Sequence, residues 1–257
     1  MSFGISSSCF YPMQTEEALI KLGELGVKKC EFFLNSPTET TLEFAKELNR
    51  IKKNYGIDIV SVHPFSSFAE TYMLFSEYQR RFDDMLEFYK RDFEVTAELG
   101  AKISIIHGSK LPQKVSNEVY FERFEKLVDE GRNFGITVAQ ENVNNHLSEN
   151  PAFLSEMRSS LGDKFNMVFD VKQAVRAGFE PLAFAEEFSK NIIHIHISDH
   201  KDGFDCLAPG KGNFDFTKLF DIMKKANYSG NCIIELYRSN YGDYSELTQA
   251  LDYIQNL

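Results

Sequence analysis

Cysteine pairs, long apolar runs and a basic excess are all missing from this chain, and each absence removes a class of protein. The four cysteines, Cys9, Cys30, Cys206 and Cys232, are scattered, with no CxxC among them. Zinc-finger spacing is therefore excluded. A disulfide framework is not expected at this length, and incidental buried thiols are the simpler reading. Asp and Glu number 38 against 28 Lys and Arg, a net charge of −10. Such a balance repels a phosphate backbone and disfavours nucleic acid as a partner. No apolar run approaches the roughly 18–20 residues of a membrane span. The opening MSFGISSSCF has neither a basic flank nor an apolar signal core, so a cytoplasmic protein with no membrane partner is expected. No GxGxxG follows the first β-rich run, which argues against a dinucleotide fold. No Pro/Gly/Ser-rich linker divides the chain, and one domain over residues 1–257 is expected.

What is present is a structural period. KLGELGVKKCEFF, TAELGAKISIIHG, EGRNFGITVAQEN and KKANYSGNCIIELY each place Gly or Asn where an amphipathic helix should stop, ahead of a Val/Ile-rich run. The spacing predicts strands near 2–8, 27–33, 58–63, 102–107, 136–141, 165–170, 192–198 and 231–236. Helices are predicted near 14–25, 38–54, 75–99, 117–134, 150–161, 181–189, 215–226 and 245–256. Eight alternating units of this length favour an α/β fold of the (β/α)8 TIM-barrel type over an open doubly wound sheet.

Six consecutive predicted strands finish in a residue that can bind a metal or a substrate. The third ends at His63, the fourth at His107, the fifth at Glu141, the sixth at Asp170, the seventh at His196 and the eighth at Glu235. In a parallel barrel these ends form one rim, where chemistry is usually placed. Glu141, Asp170, His196 and Glu235 together offer three carboxylates and one imidazole. That is a hard to borderline divalent site, suited to Mn²⁺, Mg²⁺ or Co²⁺ and compatible with Zn²⁺. His63 and His107 either complete a second ion position that shares Glu141 or contact substrate hydroxyls. His194, two residues before His196, points the same way one layer deeper, as a core histidine or a supporting partner.

In this order SVHPF, IHG, QEN, FD, HIHISD, GKGNFDF and IIELY resemble the xylose-isomerase-like TIM-barrel superfamily over roughly residues 58 to 238. That group includes sugar and sugar-phosphate isomerases and epimerases, inosose dehydratases and, more distantly, an abasic-site endonuclease. The resemblance implies that Glu141, Asp170, His196 and Glu235 are the shared metal ligands. His63 and His107 match the pair holding an additional zinc in the endonuclease. Two departures separate the chain from that nuclease: Gln173 stands where it has a His after the strand-six Asp, and Cys206 where it has another. A third zinc site is accordingly not expected, nor is DNA cleavage. Several epimerases also place a substrate-touching His at the position of Gln173. An amide there still hydrogen-bonds a hydroxyl but exchanges no proton near neutral pH.

The expected activity is metal-dependent isomerisation or epimerisation of a small sugar or sugar phosphate through an enediolate. Glu141 and Glu235 would move the proton, and His63, His107, Gln173 and Arg238 would orient the substrate. Arg238 and Lys211 would meet a phosphate or carboxylate, or else lie on a solvated surface. Lyase chemistry on an inosose-like keto-polyol or a glycoside uses the same site and stays open as the alternative. A homo-oligomer is compatible with the fold. In the GKGNFDF loop, Asn213 or Asp215 is expected to start the following helix.

Overall fold

Strand and helix alternate along the chain as the period requires. The structure, a computed structural model, describes residues 1–112 and 115–257. In order it contains β1 (Ser2–Ser6), α1 (Thr15–Glu24), β2 (Lys29–Phe33), α2 (Leu42–Tyr55), β3 (Asp58–His63), α3 (Gln79–Glu98) and β4 (Ile103–Ile106). Next come α4 (Asn117–Asn133), β5 (Thr137–Glu141), α5 (Pro151–Leu161), β6 (Met167–Asp170), α6 (Val171–Arg176) and α7 (Pro181–Phe188). The remainder is β7 (Ile192–Ile197), a two-stranded antiparallel ribbon of β8 (Asp199–Lys201) and β9 (Phe204–Leu207), α8 (Phe216–Lys225), β10 (Asn231–Ile234) and α9 (Ser245–Gln255). Eight of these strands close into a parallel barrel in the order β1-β10-β7-β6-β5-β4-β3-β2. The expected TIM barrel is the observed fold.

Local chemistry sets the element ends. Thr41 caps α2 by accepting from Phe44 N at 3.2 Å, and Gly56 ends it in the left-handed region at φ 64°. Asp215, one of the two residues expected to start α8, accepts from Lys218 N at 2.9 Å. Three predicted spans shift for visible reasons. The first strand ends at Ser6 rather than residue 8, because Ser6 Oγ takes the amide of Ser8 at 3.3 Å and turns the chain. α2 starts at Leu42, behind a short 3-10 turn at Pro37–Glu39. α3 starts at Gln79 rather than 75, since Ser76 Oγ accepts from Tyr78 N at 3.1 Å and holds a turn ahead of it. α6 and the β8–β9 ribbon were not expected. Both are short insertions on the C-terminal rim.

Alternation along the strands separates two cores. One large apolar cluster lies between the barrel and its helices and includes Phe93, Phe124, Phe169, Phe188 and Phe216. A second, of Ile103, Ile105, Ala139 and Val168, fills the barrel interior. The strand residues two positions further on, His107, Glu141 and Asp170, therefore point into the barrel above this plug. β1 and β2 approach very closely: a Cβ on Gly4 would stand 2.2 Å from the Lys29 carbonyl oxygen, so only glycine fits there.

Candidate active site

The register of the parallel strands brings the rim residues together. Asp170 on β6 pairs with His196 on β7, and His196 pairs with Ile233 on β10, two residues before Glu235. His196 Nδ1 consequently faces three carboxylates. It lies 3.1 Å from Glu141 Oε1, 3.0 Å from Glu235 Oε2 and 3.5 Å from Asp170 Oδ2. Ligand atoms of Glu141, Asp170, His196 and Glu235 all lie within 4.8 Å of one another. Two further groupings meet the same criterion, His63–His107–Glu141 and Glu31–His63–His196.

The donor set fits a divalent cation on a structural test. Glu141 Oε2, Asp170 Oδ2 and Glu235 Oε2 are buried and make no well-aligned hydrogen bond, being met only by the cationic groups of His107, Lys172 and His196. Three converging buried carboxylate oxygens that lack aligned donors are what a cation would satisfy. Asp170 divides its work between its two oxygens: Oδ1 caps α6 by accepting from Gln173 N at 2.9 Å, which leaves Oδ2 facing His196. Asn142 holds Asp170 from the other side, with Oδ1 accepting from Asp170 N at 2.7 Å and Nδ2 donating to Asp170 O at 3.0 Å.

Beneath the ligands lies Glu31, wholly buried, which was not among the expected site residues. Its Oε2 accepts from Ser61 Oγ at 2.7 Å and is reached by His194 Nε2 at 2.9 Å and His196 Nε2 at 3.0 Å. A carboxylate can only accept from these partners, so His196 carries its Nε2 proton toward Glu31 and turns Nδ1 to the acid cluster. His194 is thus a supporting partner, and burial lowers its pKa. The sequence signal for Glu31 was a carboxylate set between Cys30 and Phe32 in the strand KCEFF. It was missed because the strand-end pattern began only at His63.

Burial and charge act against one another throughout the site. Burial opposes a charge on His196, but Glu31 and Glu235 outweigh it and hold its pKa well above the usual range. Burial likewise opposes ionisation of Glu235, yet Lys172 and His196 bring its carboxyl down to about 2. Asp170 goes the other way: burial raises its pKa, and Lys172 and His196 offset that only in part. Glu141 is held well below the ordinary carboxylate range against its burial, by His107 and His196. Ligation through Nδ1 requires loss of the second imidazole proton, so ion binding and proton release are linked here.

A cavity of about 270 Å³ opens above this cluster, at the small end of ligand pockets. Glu141, Glu235, His107 and Gln173 line it, together with Ser7, Ser8, Tyr11, Phe33, Asn35 and Tyr237. Of Phe10, Tyr11, Phe65 and Phe68, aromatic residues that follow β1 and β3, only Tyr11 lines the cavity. At its far end Asn35 Nδ2 donates to Thr15 Oγ1 at 3.0 Å, and that hydroxyl donates to the Glu39 carboxylate at 2.9 Å.

The other expected contacts fall out differently. His107 Nε2 stands 3.1 Å from Glu141 Oε2 on the cavity wall, and Glu141 raises the His107 pKa to about 9 although burial opposes it. Gln173 reaches the cavity, with Oε1 accepting from Asn144 N at 3.1 Å. His63 is covered: it stacks on Phe33 at 4.0 Å between ring centroids and sits 3.4 Å from Glu31 Oε1. It lies in the layer below the cavity lining, within both of the further groupings that could hold an ion. Arg238 lies apart from the site. Its guanidinium donates to the Tyr241 and Gly242 carbonyls and lies over the Tyr241 and Tyr244 rings, away from the cavity lining. Lys211 is exposed and outside the lining. Asp205 pairs with Arg176 at 2.6 Å, and Arg176 donates to Tyr237 Oη at 2.7 Å, which ties the ribbon to the cavity mouth. Buried Asp199 accepts amides from Gly210, Gly212 and Phe214 at 2.8 to 3.0 Å and so shapes the glycine loop from inside.

A closed parallel barrel with an acidic, histidine-bearing pocket at its C-terminal rim defines the class: a (β/α)8 barrel with a buried cluster of potential metal ligands. The chain belongs to the xylose isomerase-like TIM barrel family, whose sequence model matches residues 20–257. It is 26% identical to an inosose dehydratase of Lacticaseibacillus casei over 133 residues, 43% of this chain and 44% of that protein. The match thus spans less than half of that relative. To the inosose dehydratase of Clostridium beijerinckii it is 22% identical over 233 residues, 77% of this chain and 76% of that protein. A solved D-tagatose 3-epimerase-like protein superposes with a TM-score of 0.81 at 21% identity, covering 100% of this chain and 96% of that one. No helix among the described residues is long and apolar enough to cross a membrane.

Proposed function

We propose that the chain is a divalent-metal-dependent sugar or sugar-phosphate epimerase or isomerase that moves a proton beside a carbonyl. The observation that carries this reading is the pairing of Glu141 and Glu235. Both lie in contact with His196 Nδ1, both line the same cavity, and they come from different strands, β5 and the end of β10. A cation held by Glu141, Asp170, His196 and Glu235 would supply Lewis acidity toward the carbonyl and acidify the neighbouring carbon.

The chain's own residues then divide the work. One of Glu141 and Glu235, as the carboxylate, takes the carbon-bound proton, and the other, protonated from solvent before the turnover, delivers its own proton to the opposite face or to the adjacent carbon, so the two exchange protonation states. Both carboxyls are held low in the free site, which suits the one that acts as base. His107 stands against Glu141 as a donor toward a substrate oxygen. Gln173 and Asn35 offer amides to hydroxyls, and Tyr11, Phe33 and Tyr237 offer rings to the apolar face of a sugar.

A dehydratase acting on a keto-polyol is the second reading, favoured by the two inosose dehydratases among the relatives. The two readings separate by product mass. Purified protein is incubated with Mn²⁺ and a panel of ketoses and keto-polyols in D₂O. Deuterium entering beside the carbonyl, with a new sugar isomer and no mass loss, supports the first reading. Loss of water moves the assignment to the second. Exchange with no compound despite bound metal refutes both for that panel.

A further inference from the structure

The acid cluster on the rim has a cation of its own. Lys172, the second residue of α6, has a side chain only 2% exposed. Its Nζ is 3.3 Å from Asp170 Oδ2 and 3.3 Å from Glu235 Oε2. Both oxygens belong to residues of the four-membered ligand group, and both also face His196 Nδ1. No other Lys or Arg among the described residues lines the cavity. The ammonium also stands 5.0 Å from the Tyr237 ring centroid, so aromatic contact helps to keep it in place. α6 follows β6 without a loop, and Asp170 caps it. The ammonium is therefore bound to the site through a short, rigid connection.

We propose that Lys172 sets the affinity of the site for its divalent ion, as a positioning cation that shares Asp170 and Glu235 with it. The proposal rests on Glu141, Asp170, His196 and Glu235 being the ion's ligands. Any ion held by those oxygens has a fixed positive charge a few ångströms away, in a buried setting where charges are weakly screened. Two cations that compete for the same carboxylates repel each other, so ion binding is weaker than the four ligands alone would make it. The same ammonium keeps Asp170 and Glu235 together by offsetting their mutual repulsion, and so stabilises the protein when no ion is bound. Lys172 thus makes the ion exchangeable and the rim well formed without it, two effects of opposite sign on ion affinity and ion-free stability.

Titration calorimetry with MnCl₂ on chelator-treated protein, paired with thermal melts with and without Mn²⁺, tests this directly. Lys172→Met keeps most of the side-chain volume and removes the charge. It should lower the Mn²⁺ Kd at least tenfold, lower the melting temperature of the ion-free protein, and enlarge the rise in melting temperature on adding Mn²⁺. Lys172→Arg keeps the charge and should bind Mn²⁺ within about threefold of the unaltered protein. If Lys172→Met does not fold, Lys172→Gln carries the same expectation. A Kd that is unchanged or higher without the charge overturns the proposal, as do equal losses of melting temperature with and without Mn²⁺, which mark a packing role alone. If no form binds Mn²⁺, the ligand assignment fails and the proposal with it. Mn²⁺ binding without sugar turnover would instead overturn the functional reading and leave this one standing.

Discussion

Replacing Glu31 by Gln tests whether the buried layer beneath the ligands governs the site. Three groups converge on Glu31 Oε2: Ser61 Oγ at 2.7 Å, His194 Nε2 at 2.9 Å and His196 Nε2 at 3.0 Å. An amide can keep its one oxygen on these three partners only as a neutral acceptor, and its NH₂ takes the place of Oε1, 3.4 Å from His63 Nε2. Exchanging a charged acceptor for a neutral one costs about 1 kcal/mol of stability per hydrogen bond. The effect on the ion is separate. His196 loses the charged acceptor that holds its Nε2 proton and aims Nδ1, and disturbing such a partner typically weakens metal binding 10–100-fold, about 1.4–2.8 kcal/mol. Calorimetric titration with Mn²⁺ reads the affinity, and ¹⁵N-edited NMR of the imidazoles reads the tautomer. The expected result is a Kd raised at least tenfold, with His196 no longer held as the Nε2–H form. Ser61→Ala, which removes the hydroxyl alone, should leave the Kd within about threefold. Glu31→Gln protein that binds Mn²⁺ as tightly as the unaltered chain, with the tautomer preserved, would refute the reasoning. Its sign is opposite to that expected for Lys172→Met, so one titration series separates the two neighbours of the ligand set.

Three further outcomes follow from the geometry. Glu141→Gln should leave the circular dichroism spectrum intact and lower kcat on whichever sugar proves to be the substrate by about 10³-fold, within the range for a general base; near-normal turnover would remove the role assigned to it. Asp92 is buried, its Oδ2 reaches only Ser66 Oγ at 3.4 Å, and its Oδ1 has no partner. Burial pushes the carboxyl from 3.8 up to about 8. A raised carboxyl pKa favours the protonated fold, so stability falls as pH rises from about 4 to about 8 and then levels off, by up to about 4 kcal/mol at pH 7. Asp92→Asn should flatten that slope in urea melts and be the more stable protein at pH 8; an unchanged slope would show that Asp92 does not carry it. Arg238→Ala should change kcat/KM less than about twofold while lowering the melting temperature, because its guanidinium braces the Tyr241–Gly242 turn outside the cavity. A large rise in KM would return Arg238 to the substrate.

How much was legible depends on whether the physical cause is local. Strand ends were readable because Gly or Asn stops recur before Val/Ile-rich runs, and Glu141, Asp170, His196 and Glu235 each close such a run. α6 was not, since VKQAVR is too short for a helical period and is started by the Asp170 side chain. Nor was the β8–β9 ribbon, whose strands are held by pairing with each other and by the Arg176–Asp205 contact across 29 residues.

By itself the sequence determined the periodic fold and the identity of the rim residues, because side-chain alternation and helix stops act over a few neighbours. Only the tertiary structure decided which of those residues share one volume. Glu31 and His196 lie 165 residues apart and meet through barrel closure. Lys172 lies close to Asp170 in the chain, yet its second partner, Glu235, arrives only on the last barrel strand. His63 and Arg238 carry the right chemistry at the right strand ends, and packing against Phe33 and the Tyr241 turn turns both away from the cavity. A strand end fixes where a side chain begins; the neighbours that compete for its charged or aromatic tip fix where it ends, and those come from distant parts of the chain.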